Sequence, residues 1–146
     1  MEELLKGLLS DTVALKFKAH GYHWNVEGKN FHQFHSLFSD IYNDYESAID
    51  TIAEWSRKLG YLATSDLLSF YNNTTVTESI SSTDPCEMAQ DLLDSNLQIG
   101  IKFQTAVTIA TDAGQHALAN FFAERMDQHQ RLNWQLSATV KDLEME

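Results

Sequence analysis

The sequence of 146 residues is poor in the features that mark secreted and membrane proteins. It has a single cysteine, Cys86, which excludes an intrachain disulfide and favours a reducing compartment. It has no run approaching the ~20 apolar residues that a membrane span requires. The first residues, MEELLKGLLSDT, carry acidic rather than basic side chains and do not resemble a secretion signal. We therefore expect a soluble cytoplasmic protein with no membrane partner.

Positive charge is also scarce. Ten Lys and Arg residues stand against 21 Asp and Glu residues, which gives a formal net charge of −11 at pH 7. This balance opposes attraction to DNA phosphates and anionic lipids, and it favours cations. The sequence therefore makes metal ions candidate ligands and argues against DNA as a partner.

Apolar residues recur at three- and four-residue steps in four long segments, which is the period of a helix with one buried face. A glycine marks the bend after the first segment, others end the second and third, and the only proline, Pro85, begins the third. Alternation typical of strands is absent from the sequence. The predicted long helices cover about residues 2–26, 31–59, 84–112 and 115–143.

A polar connection of about two dozen residues joins the second helix to the third. Such a length without structure is uncommon, and an apolar cluster within it predicts a short helix over about Ser65–Tyr71. Four long helices joined by short, long and short connections predict an all-α, ferritin-like four-helix bundle with one long crossover. We expect one such domain over residues 1–146.

Two carboxylates on the second helix could bind a metal ion together. Asp50 and Glu54 are four residues apart, so they project from the same face of the helix. Glu46 extends the row, and three acids at this spacing repel one another unless a positive group, such as Arg57 or a metal ion, lies nearby. The alternative is a solvated acidic face.

Two histidines flank the predicted bend at equal distances. His23 precedes the segment Gly28-Lys29-Asn30 by five residues and His35 follows it by five, so an antiparallel hairpin would set them opposite each other. Imidazole and carboxylate donors together suit first-row metals, including iron. The remaining histidines have the simpler interpretation of packed or surface residues: His20, His32, His116 and His129.

The two pairs are too far apart to meet within one chain. Asp50 and Glu54 follow His35 by 15 and 19 residues, or about 22 to 28 Å along a straight helix, whereas metal–ligand bonds span about 2 Å. A shared centre therefore needs a second copy of the chain, antiparallel across a two-fold axis.

Other chemistries find little support in the sequence. It has no Glu-x-x-His motif for a di-iron centre inside one subunit, no phosphate-binding glycine loop and no nucleophile elbow. Cys86 is best explained as a small packed residue. The three tryptophans fall in helical patterns and are expected in the core or an interface: Trp24, Trp55 and Trp134.

The pattern resembles the signature of the Dps family, the miniferritins that protect DNA in starved cells. The resemblance lies in His23-Trp24-Asn25-Val26-x-Gly28-x-x-Phe31-x-x-x-His35, followed by Ile49-Asp50-x-x-Ala53-Glu54 and Leu59-Gly60. It implies a hollow homododecamer that oxidises Fe(II) with hydrogen peroxide or dioxygen and stores Fe(III) mineral.

The resemblance also implies roles for individual residues. His23 and His35 of one subunit, with Asp50 and Glu54 of its neighbour, would bind iron at a two-fold interface. Trp24 would lie close enough to donate an electron or trap a radical.

Three departures from the family pattern are visible. Ser39, followed by Asp40, stands where many members have an acid, which puts the second iron position in doubt. The segment Leu118-Ala119-Asn120 has an amide where the family's iron pore has an acid, and Glu124 and Asp127 are weaker candidates for that role. The basic N-terminal arm of DNA-binding members is missing.

Two alternative functions stay open at the level of sequence. One is a Dps-like shell that binds and compacts DNA with little or no ferroxidase activity. The other is a bundle that assembles but oxidises nothing, for which Ser39 would be a reason.

Overall fold

The computed structural model describes residues 1–141. In it the chain forms four long helices and one short one. The chain folds back after α1 and again after α4, so that α1 packs along α2 and α4 along α5. No strand occurs in residues 1–141, and the all-α, ferritin-like prediction is confirmed. The helices are α1 (Glu2–Asn25), α2 (Phe31–Lys58), α3 (Leu67–Asn73), α4 (Pro85–Asp112) and α5 (His116–Val140).

The helix ends follow from local chemistry. Gly28, in the bend between α1 and α2, has φ = 115°, and Gly60, after α2, has φ = 91°. Side-chain-bearing residues rarely adopt such values, so these glycines permit the turns. The Asp84 carboxylate accepts a hydrogen bond from the Glu87 N–H at 2.9 Å and caps α4 at its predicted start.

The short crossover helix begins at Leu67 rather than Ser65, because Asp66 is its N-cap and accepts a hydrogen bond from the Ser69 N–H at 3.0 Å. The predicted end of the last helix at Leu143 lies outside the described residues.

Apolar side chains from all four long helices form one core. Some large apolar residues of the long helices lie outside it: Leu97 and Ile101 of α4 and Trp134 of α5 are exposed. For α4 the reason is that the buried face passes through Asn96 instead, whose amide is fully enclosed. The largest fully buried apolar side chains include Tyr22, Tyr45, Phe34, Phe38, Phe103 and Phe122.

A polar network crosses the middle of this core. Arg125 donates to both carboxylate oxygens of Asp44, at 3.1 and 2.8 Å, and lies 3.2 Å from Nε2 of His129. Nδ1 of His129 lies 2.7 Å from the Asn96 amide oxygen. A guanidinium only donates and an amide oxygen only accepts, so His129 is neutral with its proton on Nδ1.

The crossover is tied to the bundle by a buried carboxylate. Asp11 of α1 accepts hydrogen bonds from the Thr74 hydroxyl, the Thr75 N–H and the Lys102 ammonium group, the last at 2.7 Å. One side chain thus joins α1, the crossover and α4.

Among residues 1–141, no helix is both long and apolar enough to cross a bilayer.

The buried His129 predicts a pH dependence of stability. Burial, reinforced by the Arg125 charge, holds the pKa of His129 well below its ordinary value of 6.5. The unfolded chain takes up this proton near pH 6.5 and the folded chain does not, so stability falls as the pH drops below 6.5. We expect His129 to contribute up to about 1.4 kcal/mol per pH unit to this loss.

Urea unfolding of the parent and of His129→Gln, between about pH 5 and pH 7.5, measures that contribution. Glutamine can accept from Arg125 and donate to Asn96 but does not titrate. The variant should therefore lose the His129 part of the slope. Identical slopes in the two proteins would contradict the assignment of a neutral His129.

Candidate metal centre

His23 and His35 lie against each other beside the bend between α1 and α2. Their rings are stacked, with centroids 3.7 Å apart and planes 16° from parallel. Each is held by the backbone of the other helix: Nδ1 of His23 lies 2.6 Å from the His35 carbonyl oxygen, and Nδ1 of His35 lies 2.7 Å from the His23 carbonyl oxygen. The equal spacing about the bend therefore brings the two imidazoles together as predicted.

These reciprocal contacts fix which nitrogen of each ring is available. A carbonyl oxygen only accepts, so Nδ1 carries the proton in both rings. In the neutral tautomer with this arrangement, Nε2 is the nitrogen with a free lone pair, on the side of the ring away from the backbone that holds Nδ1. A metal-binding histidine in proteins is typically oriented in this way, with the second nitrogen donating to a carbonyl or carboxylate. The two backbone contacts therefore orient both rings in the way that is usual for metal-binding histidines.

Further aromatic rings surround the pair. Phe31 stacks on His35, with centroids 4.9 Å apart, and the edge of Tyr42 meets His23 at 5.5 Å. His20, one turn before His23, lies 4.1 Å from both Tyr42 and Trp24. Burial, then the charges of Lys16 and His23, lower the pKa of His20 below 6.5.

The carboxylates project from the far part of α2. Asp50 and Glu54 are exposed, and so is Glu46. The cation beside this row is Lys16 of α1, whose ammonium group lies 3.3 Å from Glu46, and not Arg57 as expected. Arg57 lies beyond the row and donates instead to the Tyr61 carbonyl oxygen at 3.3 Å.

The histidine pair and the acid pair do not meet in one chain. Along the continuous α2 the acids lie about 22 to 28 Å beyond His35. Within residues 1–141, no three His, Cys, Asp or Glu side chains of a single chain come close enough to hold a metal ion. A single chain therefore has the two imidazoles at one end of a helix hairpin and the two carboxylates farther along it, without joining the pairs.

The other predicted positions are distributed over the surface and the core. Ser39 is half-buried and Asp40 is exposed on α2. In the pore segment, Leu118 and Ala119 are buried and Asn120 is exposed. The two weaker pore candidates on α5 are also exposed: Glu124 and Asp127.

His20 is the residue whose place the sequence interpretation undervalued. It was expected to be merely packed or on the surface, yet its ring lies 6.3 Å from that of His23. The signal was present in the sequence, because residues three apart on a helix share a face.

Comparison with known proteins supports the same fold and family. The family model of the ferritin-like domain matches residues 2–145. The DNA protection during starvation protein of Helicobacter pylori strain J99 is 26% identical over 137 residues, covering 93% of this chain and 95% of its own.

Solved structures show the same fold. The structure of Dps from Thermosynechococcus elongatus superposes with a TM-score of 0.92 at 24% identity, covering 95% of this chain and 88% of that one. The Dps protein of Vibrio cholerae O1, described as a member of a broad superfamily of ferritin-like diiron-carboxylate proteins, gives 0.92 at 24% identity, covering 95% and 87%.

A four-helix bundle with one crossover, matched by this domain model over nearly its whole length, is a ferritin-like protein. Within that class, the chain belongs to the Dps family.

Proposed function

We propose that the protein is a cytoplasmic ferroxidase that oxidises Fe(II) and stores the Fe(III) mineral inside a hollow homododecamer, protecting the cell against oxidative damage. The observation that carries this proposal is the His23–His35 pair, two stacked imidazoles whose Nδ1 atoms are engaged by backbone carbonyls, so that Nε2 is the nitrogen left for a ligand. Iron storage and protection against oxidants are the functions of the family to which the chain belongs.

The complete site would form between two subunits. His23 and His35 of one subunit would bind Fe(II) together with Asp50 and Glu54 of a neighbour, because the distance along α2 prevents the same chain from supplying all four. A two-fold axis places each end of one α2 beside the opposite end of the other. Two identical sites then result from each pair of subunits.

The surface beside the histidines suits such a contact. Phe17 and Trp24, both on the face of α1 that also carries His20, are 55% and 63% exposed. Exposed aromatic side chains near one another mark surfaces that become buried in an interface. A second copy of the chain would cover these rings and bring its carboxylates to the imidazoles.

The donor set favours the reaction energetically. Two Fe(II) ions each give one electron to hydrogen peroxide, and with two protons the products are two Fe(III) ions and two water molecules. Dioxygen is the alternative oxidant. Asp50 and Glu54 carry negative charge that stabilises Fe(III) more than Fe(II), while the neutral imidazoles position the ion. Trp24 is a candidate electron donor or radical trap beside the site.

Mixed oligomers test whether the site is shared. One variant combines His23→Ala with His35→Ala, and the other combines Asp50→Ala with Glu54→Ala. Each alone should oxidise Fe(II) far more slowly than the parent in stopped-flow measurements. Shells reconstituted from both variants should regain activity, because a mixed pair holds one site with intact histidines from one subunit and intact acids from the other.

Reconstituted shells of each single variant, treated identically, are the control for this experiment. If the mixed shells are no faster than these controls, the ligands do not come from two subunits. If Asp50→Ala plus Glu54→Ala oxidises Fe(II) at the parent rate, the assignment of the acids is wrong.

A second candidate function is DNA binding, which the name of the Helicobacter pylori relative brings forward. A chain with a net charge of −11 repels phosphates, and the repulsion grows in a dodecamer. We expect no retardation of duplex DNA in a gel-shift assay at low salt. Retardation that disappears on adding salt would instead support a DNA-compacting shell, since release of counterions makes such binding sensitive to salt.

A further inference from the structure

We propose that His20 is a ligand of the second iron position at this centre. The inference rests on the proposed function and assigns a role to a residue that the proposed function does not use. Reduction of one peroxide molecule takes two electrons, and each Fe(II) supplies one, so a second ion close to the first makes the reaction efficient. The two histidines and two acids already assigned leave that second ion with few donors of its own.

The ring contacts of His20 leave its nitrogens available. Tyr42 stacks on it at 4.1 Å with planes 26° apart, and Trp24 lies at 4.1 Å with planes 43° apart. Within residues 1–141, neither ring nitrogen of His20 has a hydrogen-bond partner. Two aromatic neighbours thus orient a half-buried imidazole whose ring nitrogens can be reached by water or a ligand.

The distance between His20 and His23 favours two ions over one. An imidazole centroid lies about 3.3 Å from an ion bound to its nitrogen, so two rings on one ion can be at most about 6.5 Å apart, on opposite sides of it. The observed 6.3 Å would require that extreme arrangement. Rings bound to separate ions about 3.5 to 4 Å apart, the usual spacing in two-metal sites, fit this separation without it.

The position that a second copy of the chain would take across a two-fold axis agrees with this assignment. If a two-fold axis sets His35 of one copy opposite the middle of the Asp50–Glu54 pair of the other, that axis passes α2 near Asp44. Measured along the axis of α2, Asp50 of the second copy is then displaced by about 3 Å from His35, toward the two-fold axis. His20 lies on the same side of the histidine pair, since it stacks on Tyr42, seven residues beyond His35. The Asp50 carboxylate could therefore bridge the two ions.

On that side the chain's own α2 offers a weak donor. The residue one turn after His35 is Ser39, whose neutral hydroxyl is a poor ligand compared with a carboxylate or an imidazole. His20 approaches the same region from α1 and supplies the imidazole that α2 does not. The second position would then have a nitrogen donor from one subunit and a carboxylate oxygen from the other.

Anaerobic titration of the assembled protein with Co(II), followed by its visible absorption and by calorimetry, tests the proposal. The parent should bind about two Co(II) ions per centre. His20→Phe keeps an aromatic ring between Tyr42 and Trp24 but removes both nitrogens. It should retain the first binding event and weaken the second by more than the ~10- to 100-fold that loss of an outer-sphere partner costs.

Two further variants make the test specific. His32→Phe changes an exposed histidine on α2 and should bind about two ions, like the parent. His20→Phe combined with Ser39→Asp places a carboxylate on the same side and should restore the second binding event. Size-exclusion chromatography of every variant establishes that the shell is assembled.

The outcomes separate this inference from the proposed function. Two undiminished binding events in His20→Phe would overturn the role of His20 and leave the shared centre intact. Binding in the parent that is unaffected by Asp50→Ala plus Glu54→Ala would overturn the shared centre and with it this inference. Selective loss of the second event, restored by Ser39→Asp, supports the proposal.

Discussion

The rigidity of a long helix is the constraint on which this structure depends. α2 runs unbroken from Phe31 to Lys58, so its histidine end and its carboxylate pair stay about 22 to 28 Å apart. No side-chain rotation can close that distance. The donors of the proposed metal centre are therefore divided between two parts of one hairpin, and a centre that needs both parts requires more than one chain.

Two buried polar arrangements keep this hairpin in place. The Asp11 carboxylate fastens the crossover to α1 and α4, and the network around Arg125 and His129 joins α2, α4 and α5. Hydrogen bonds between buried polar groups favour the packing arrangement in which those groups meet over its competitors. The two histidines at the bend are held independently, by each other's backbone, so their geometry depends on the hairpin and not on a bound ion.

Much of the fold could be predicted from sequence, because helix periodicity and helix ends are local properties. Gly28, Gly60 and the Asp84-Pro85 pair marked ends that the structure confirms within two residues. The buried polar network could not be predicted, since Arg125 and Asp44 look like surface residues unless their partners are known. The exposure of Leu97 and Ile101 could not be predicted either, because periodicity shows a face but not which neighbour covers it.

The candidate site also has features that could be predicted from the sequence and features that could not. Spacing around the bend was enough to bring His23 and His35 together, and helix length was enough to separate them from Asp50 and Glu54. Neither could show that each Nδ1 is engaged by a carbonyl, which is what leaves Nε2 available, because that depends on the packing of α1 against α2. The position of His20 between Tyr42 and Trp24 likewise depends on contacts between the two helices.

The mass of the native particle in solution tests the central claim most directly. A centre divided between subunits requires assembly, and a closed shell predicts a mass near twelve times the 16.6 kDa of one chain. Light scattering coupled to size-exclusion chromatography gives that mass without reference to shape. A particle of 16.6 kDa that still oxidises Fe(II) would contradict the account, since one chain would then be sufficient.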